Sequence, residues 1–156
     1  MYRHILIPTD GSELAEHGVT QGLVLAKSLG AKVSAIFVIE PFAEVSGRFL
    51  EVVATYAELR KEQATSALNR AANAAKKAGV SCETIQAESG QPHQAIIAAA
   101  EDKGCDLIAM SSHGRSGLSK FLIGSVTNKV LADAKTPYWF VSEQGQTQTP
   151  GRIPAR

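Results

Sequence analysis

The residues with the clearest chemical potential run from position 111 to 131, SSHGRSGLSKFLIGSVTNKVL. Glycines at 114, 117 and 124 stand among small hydroxylated residues, and an amphipathic run follows. Glycine lets the main chain approach an anion closely. The unpaired amides of a helix start favour negative charge. If Gly124 and Ser125 open a helix, its first amides could cradle a phosphate. The Ser125 hydroxyl could add a donor, and Arg115 or Lys120 could screen charge. The same loop could also be a plain link between strand and helix, with Arg115 and Lys120 merely solvated.

Known catalytic motifs are tested by counting. A Walker A loop requires Lys directly after its last Gly, and Ser125 follows Gly124 here. A dinucleotide fingerprint requires GxGxxG after the first strand, where this chain reads TDGS. GRSG at 114–117 is one residue short of GxSxG, and all four histidines (4, 17, 93 and 113) precede Ser116, so the Ser-then-His order is missing. A phosphatase loop requires Asp two positions before Asp10, where Pro8 stands. No His, Cys or carboxylate set has metal-ligand spacing, and His113 reads as a loop residue with no nucleophile to serve. His4, His17 and His93 read as structural.

These loops depend on the elements that carry them. HILIP at 4–8 is a short apolar run stopped at a turn, the pattern of a strand buried on both faces. From Ser12 to Leu29 small and apolar residues recur at helical spacing, and Gly30 supplies a stop. KVSAIFVI at 32–39 is a second strand, and Arg48 to Ala78 reads as a long helix of good helix formers. Val80 to Ala87 is a more polar third strand, expected at a sheet edge. Pro92 opens a helix that Gly104 ends, Asp106 to Ser111 is a fourth strand, a helix spans about 124–133, and Pro137 to Val141 is a fifth strand. Strands alternating with helices require a parallel sheet covered on both faces. We expect one α/β domain over 1–142, Rossmann-like, with an open five-stranded sheet in the order 3-2-1-4-5, and a disordered tail at 143–156. Ligands of such sheets bind beyond the carboxyl ends of the strands, where the winding reverses. That places Pro8, Thr9 and Asp10, Val38 to Glu40, and Met110 to Gly117 together. Asp10 also suits the N-cap of the first helix, and both roles are compatible.

At these positions the sequence resembles the universal stress protein family. Its ATP-binding members carry G-x2-G-x9-G-(S/T) after the fourth strand, and Ser111, Gly114, Gly124 and Ser125 occupy those positions here. ILIPTDGSELA, FVIE, SSHGRSGL, LIGSVTNKVL and TPYWFV also resemble the family's blocks, in order, over roughly residues 2–142. The resemblance implies an adenine-nucleotide site, with ATP as ligand and Mg²⁺ as a companion for which the sequence names no ligands. Asp10, flanked by Pro8 and Thr9, would lie by the adenosine, with Val38 and Met110 against the ring. Gly114, Gly124, Ser125 and Val126 would hold ribose and phosphates. Ser111 departs from the motif: its hydroxymethyl group either obstructs a phosphate packed against its Cα or donates to it.

The resemblance also implies a homodimer, antiparallel through the last strand. The aromatic run Tyr138, Trp139 and Phe140, with Val141, puts apolar area on both faces of a strand that would invite pairing at a sheet edge. Alternatively, these rings pack under the last helix and the tail covers the edge.

Bulk properties narrow the class. The chain has 156 residues, 44% hydrophobic and 20% charged, with a net charge of +1, an ordinary globular mix without a footprint for nucleic acid. No run of about 18 apolar residues exists to span a membrane, and the N-terminal MYRHILIPTDGS has no secretion-signal pattern. Cys82 and Cys105 read as reduced thiols of a cytoplasmic protein. Two functions follow: a cytosolic stress-response module that binds an adenine nucleotide, or a dimeric interaction module of the same fold that binds none. No general base or metal cluster stands ready for phosphoryl transfer, so at most slow ATP hydrolysis is expected.

Overall fold

The computed structural model describes residues 1–42, 50–111 and 124–141. The elements alternate as β1 (His4–Pro8), α1 (Glu13–Leu29), β2 (Lys32–Ile39), α2 (Leu50–Ala78), β3 (Cys82–Glu88), α3 (Pro92–Asp102), β4 (Leu107–Ser111), α4 (Ser125–Asp133) and β5 (Tyr138–Val141). The five strands form one parallel sheet, β3-β2-β1-β4-β5, the order expected from the sequence. The tail expected at 143–156 lies outside the described residues.

Strand alternation builds two cores. Ile5, Ile7, Val33, Phe37, Leu107 and Ala109 face one way and pack with Val19, Leu23 and Ala26 of α1 and Ala64, Ala67, Leu68, Ala71 and Ala75 of α2. Leu6, Ile36, Ile108 and Met110 face the other way, with Ile96 and Ala100 of α3 and Val130 of α4. Ile5, Leu6 and Ile7 are fully buried, so β1 is apolar throughout because both its faces are covered. Burying each such side chain contributes roughly 1.5–3 kcal/mol. β3 alternates half-buried and exposed residues, as its more polar sequence predicted for an edge strand. Gly30 closes α1 with its amide directed at the Ala26 and Lys27 carbonyls, and Pro92 stands in the first turn of α3. Cys82 and Cys105 are free thiols, both pushed up by burial, Cys105 to about 11, so neither is an available thiolate. Among the described residues no helix is long and apolar enough to cross a membrane.

The amino end of the sheet is tied by polar groups. The Asp106 carboxylate accepts from the amides of Arg3 (2.8 Å) and His4 (3.0 Å), which joins β1 to the start of β4. His4 is buried, with Nε2 2.8 Å from the hydroxyl of fully buried Ser34 on β2. Burial, reinforced by the Lys32 charge, holds its pKa below the usual 6.5. His4 is therefore structural, as the sequence suggested. The unfolded chain takes up this proton before the folded one, so stability is complete above the unfolded pKa and is lost as pH falls toward the folded pKa. Thermal unfolding followed by circular dichroism should give a falling midpoint from about pH 7 to about pH 5, and His4→Gln should flatten that slope. An equal slope in the variant would place the acid sensitivity elsewhere. The depressed pKa of Glu83, held down by its bond to Lys103, acts only below its ordinary 4.5 and does not confuse this window.

Candidate functional site

A cavity of about 460 Å³ opens at the carboxyl ends of β1, β2 and β4, within the range of small-molecule sites. β1 is the switch point: the chain passes from it to β2 on one side, while β4 flanks it on the other. Of the residues singled out from the sequence, Pro8, Thr9, Asp10, Val38, Met110, Ser111, Gly124, Ser125 and Val126 all line this cavity. Gly114 and Arg115, with His113 and Lys120, lie outside the described residues.

The floor begins with a tight turn after β1. The Thr9 amide donates to the Ile36 carbonyl at 2.8 Å, which extends the β1–β2 ladder to the rim. The Gly11 amide donates to Thr9 Oγ1 (3.2 Å), and the Ser12 amide to Asp10 Oδ1 (3.0 Å). Gly11 has φ +77°, which a residue with a Cβ adopts only under strain. This turn corrects one expectation. Asp10 is not the N-cap of α1; Ser12 is, its hydroxyl accepting from the Ala15 amide at 3.2 Å. The left-handed step at Gly11 moves the helix start two residues past Asp10, whose carboxylate braces the turn at the cavity wall.

The opposite wall is the start of α4. Gly124 is its N-cap, and no side chain caps it. The first intrahelical bond runs from the Asn128 amide to the Gly124 carbonyl, so the amides of Ser125, Val126 and Thr127 have no intrahelical acceptor. They present partial positive charge beside Met110, a buried apolar wall, and half-buried Val126. Thr127, buried, ties α4 to β4 through its hydroxyl, which donates to the Ser111 carbonyl at 3.4 Å.

Alternation along β4 sends the Ser111 side chain to the face covered by α1. There α1 carries Gly18, and a Cβ built at Gly18 would stand 3.1 Å from the Ser111 amide nitrogen and 3.3 Å from its Cβ. The extra atoms of serine thus occupy space that a glycine on the facing helix leaves open.

Sequence reasoning missed the contribution of α2. Tyr56 and Arg60 line the same cavity. Arg60 is only 6% exposed, and its guanidinium carbon lies 5.3 Å from the centre of the Phe37 ring. Its Nη1 donates to Gln63 Oε1 at 2.8 Å, while buried Nε has no hydrogen-bond partner. The signal was present: Arg60 continues the buried stripe Ala64, Ala67, Leu68, Ala71, Ala75 by one helical step of four. Among the described residues no group of three or more His, Cys, Asp or Glu gathers as a metal site.

A doubly wound parallel α/β sheet with a crevice at its switch point defines a Rossmann-like protein. Within that class, residues 1–142 match the model of the universal stress protein family, and the chain belongs to that family. It is 35% identical over 149 residues to universal stress protein MJ0531 of Methanocaldococcus jannaschii, covering 92% of this chain and 84% of that one. The solved structure of the hypothetical protein MJ0577 of the same organism is 30% identical, with a TM-score of 0.72, covering 94% of this chain and 99% of that one. A universal stress protein solved in complex with cAMP shares the fold at 23% identity and a TM-score of 0.67, over 90% of this chain and 97% of that one.

The Gly18–Ser111 contact is testable. Helix propensity alone favours alanine over glycine by about 1 kcal/mol. Overpacking costs about 1–3 kcal/mol, so Gly18→Ala should give a net loss of stability in urea unfolding. Ser111→Gly in that background should restore part of it by removing one of the two close contacts. A Gly18→Ala protein as stable as wild type would mean that α1 and β4 separate freely here.

Proposed function

We propose that this chain is a cytoplasmic stress-response module that binds an adenine nucleotide, ATP above others, in the crevice beside β1. The observation that carries this reading is the start of α4, capped by no side chain, opening into a cavity walled by Val38 and Met110. Amides without intrahelical acceptors suit phosphate oxygens, and an apolar wall suits a flat ring. In this reading Gly124, Ser125 and Val126 hold the phosphates, with Gly114 and Arg115 joining from the preceding loop. Asp10, beside Pro8 and Thr9, accepts from a ribose hydroxyl or a base N–H. The family's capacity to hold an adenine nucleotide is supported by the relative bound to cAMP. A Mg²⁺ ion would be held by phosphate oxygens and water, as that ion commonly is. The role is binding, and no residue is assigned to catalysis. The two free thiols agree with a reducing compartment.

The protein exists as a homodimer in this reading. β5 ends the sheet, and Tyr138, Trp139 and Phe140 on it are all half-buried, with Val141 buried. Trp139 packs toward α1 and α2, while Tyr138 and Phe140 pack on the other face, their ring centroids 5.1 Å apart. A second copy pairing along β5 would extend both cores. Sedimentation equilibrium should return twice the chain mass of 16.5 kDa. A single-chain mass at high protein concentration would remove the dimer.

Ligand binding is read by thermal unfolding in millimolar ATP, ADP or AMP. A ligand at a hundred times its Kd stabilises by about 2.7 kcal/mol, so ATP should raise the midpoint by several degrees. Gly124→Asp, which sets a carboxylate at the helix start, should abolish the rise. No rise in wild type with any of the three would favour the interaction module that binds no nucleotide.

A further inference from the structure

Arg60 is an anomaly that the family motif does not explain. Its guanidinium is permanently charged and nine-tenths buried. Among the described residues no carboxylate forms an ion pair with it. Gln63 engages only Nη1, and Phe37 supplies a ring face, so Nε remains a buried donor without an acceptor at the wall of the cavity. Buried polar groups are nearly always satisfied, and an exception at a cavity wall points to a missing partner that enters from the cavity.

Its position fixes which part of a ligand it meets. Arg60 lies over Phe37 of β2, in the layer of α1 and α2. The start of α4 follows β4 and belongs to the layer of α3 and α4. β1 stands between β2 and β4, so the two donor sets are separated by two strand intervals, roughly 10 Å, and lie on opposite faces of the sheet. One phosphate cannot meet both, whereas a nucleotide stretched across β1 brings its sugar and base to the β2 side.

We propose that Arg60 is a ligand-binding residue of this cavity, donating through Nε to an acceptor on the nucleoside end of the nucleotide, a base nitrogen or a ribose oxygen. The inference rests on the nucleotide reading above and adds to it a second anchor, contributed by α2, that holds the nucleoside and not the phosphates. A side chain retained for a ligand leaves the unliganded protein with an unsatisfied buried charge.

Arg60→Lys keeps the charge but loses Nε, and Arg60→Met keeps a long stem without charge. Dissociation constants for ATP, AMP and adenosine are measured by calorimetry on wild type and both variants. A lost hydrogen bond to a charged donor should weaken all three ligands by about tenfold, and by the same factor. The unliganded Arg60→Met protein should melt no lower than wild type, because it no longer buries an unsatisfied donor. Should that variant fail to fold, Arg60 is structural and the inference is overturned unless Arg60→Lys, folded, shows the uniform loss. Unchanged affinities with wild-type binding intact overturn the inference alone. A loss that grows with the number of phosphates assigns Arg60 to the phosphates and overturns it too. Failure of wild type to bind any of the three ligands removes the nucleotide reading and this inference together.

Discussion

A parallel sheet whose connections reverse direction must open a gap, and this molecule is organised around that gap. From β1 the chain winds outward to β2 and β3, then returns to place β4 and β5 on the other side. α1 and α2 cover one face, and α3 and α4 cover the other. At the carboxyl end of β1 no connection crosses to β4, so the covering layers part there. The 460 Å³ cavity is the consequence of this winding, and every residue proposed to touch a ligand sits on its rim.

The two ends of the sheet are built for different tasks. At the amino end polar groups are spent on each other: Asp106 takes the amides of Arg3 and His4, and His4 meets Ser34 in the core. These bonds join β1 to both of its neighbours and leave little for a ligand. At the carboxyl end donors are left over, three amides at the start of α4 and Nε of Arg60. Unsatisfied donors lower stability, which is why they collect where a bound molecule can complete them.

Close packing decides how Ser111 behaves. At the end of β4 a hydroxymethyl group could project into the crevice or away from it. Strand alternation turns it toward α1, and the absence of a side chain at Gly18 makes room. Its carbonyl still receives the Thr127 hydroxyl from α4, so the strand end and the helix start move as one. A substitution within the motif is thereby absorbed by the packing behind the strand, and the crevice keeps its wall.

The sequence by itself determined the element order, the parallel sheet and its strand order, since apolar runs of strand length alternate with helical periodicity and parallel crossovers have one hand. It also determined that Pro8, Thr9, Asp10, Val38, Met110, Ser111, Gly124, Ser125 and Val126 meet, because all fall at strand ends or at the helix start that faces them. Tertiary structure decided which capping residue is used: Asp10 and Ser12 are chemically equivalent candidates, and only the left-handed turn at Gly11 selects Ser12. Tertiary structure also decided the surroundings of Arg60. In the sequence it is one more charge on a long helix of good helix formers, where charges normally face water. It becomes a buried donor at the crevice only because α2 lies across β2 with that face inward, over Phe37. Local spacing encodes which face of a helix is apolar, but what that face meets depends on contacts distant in sequence, and those exist only once the chain has folded.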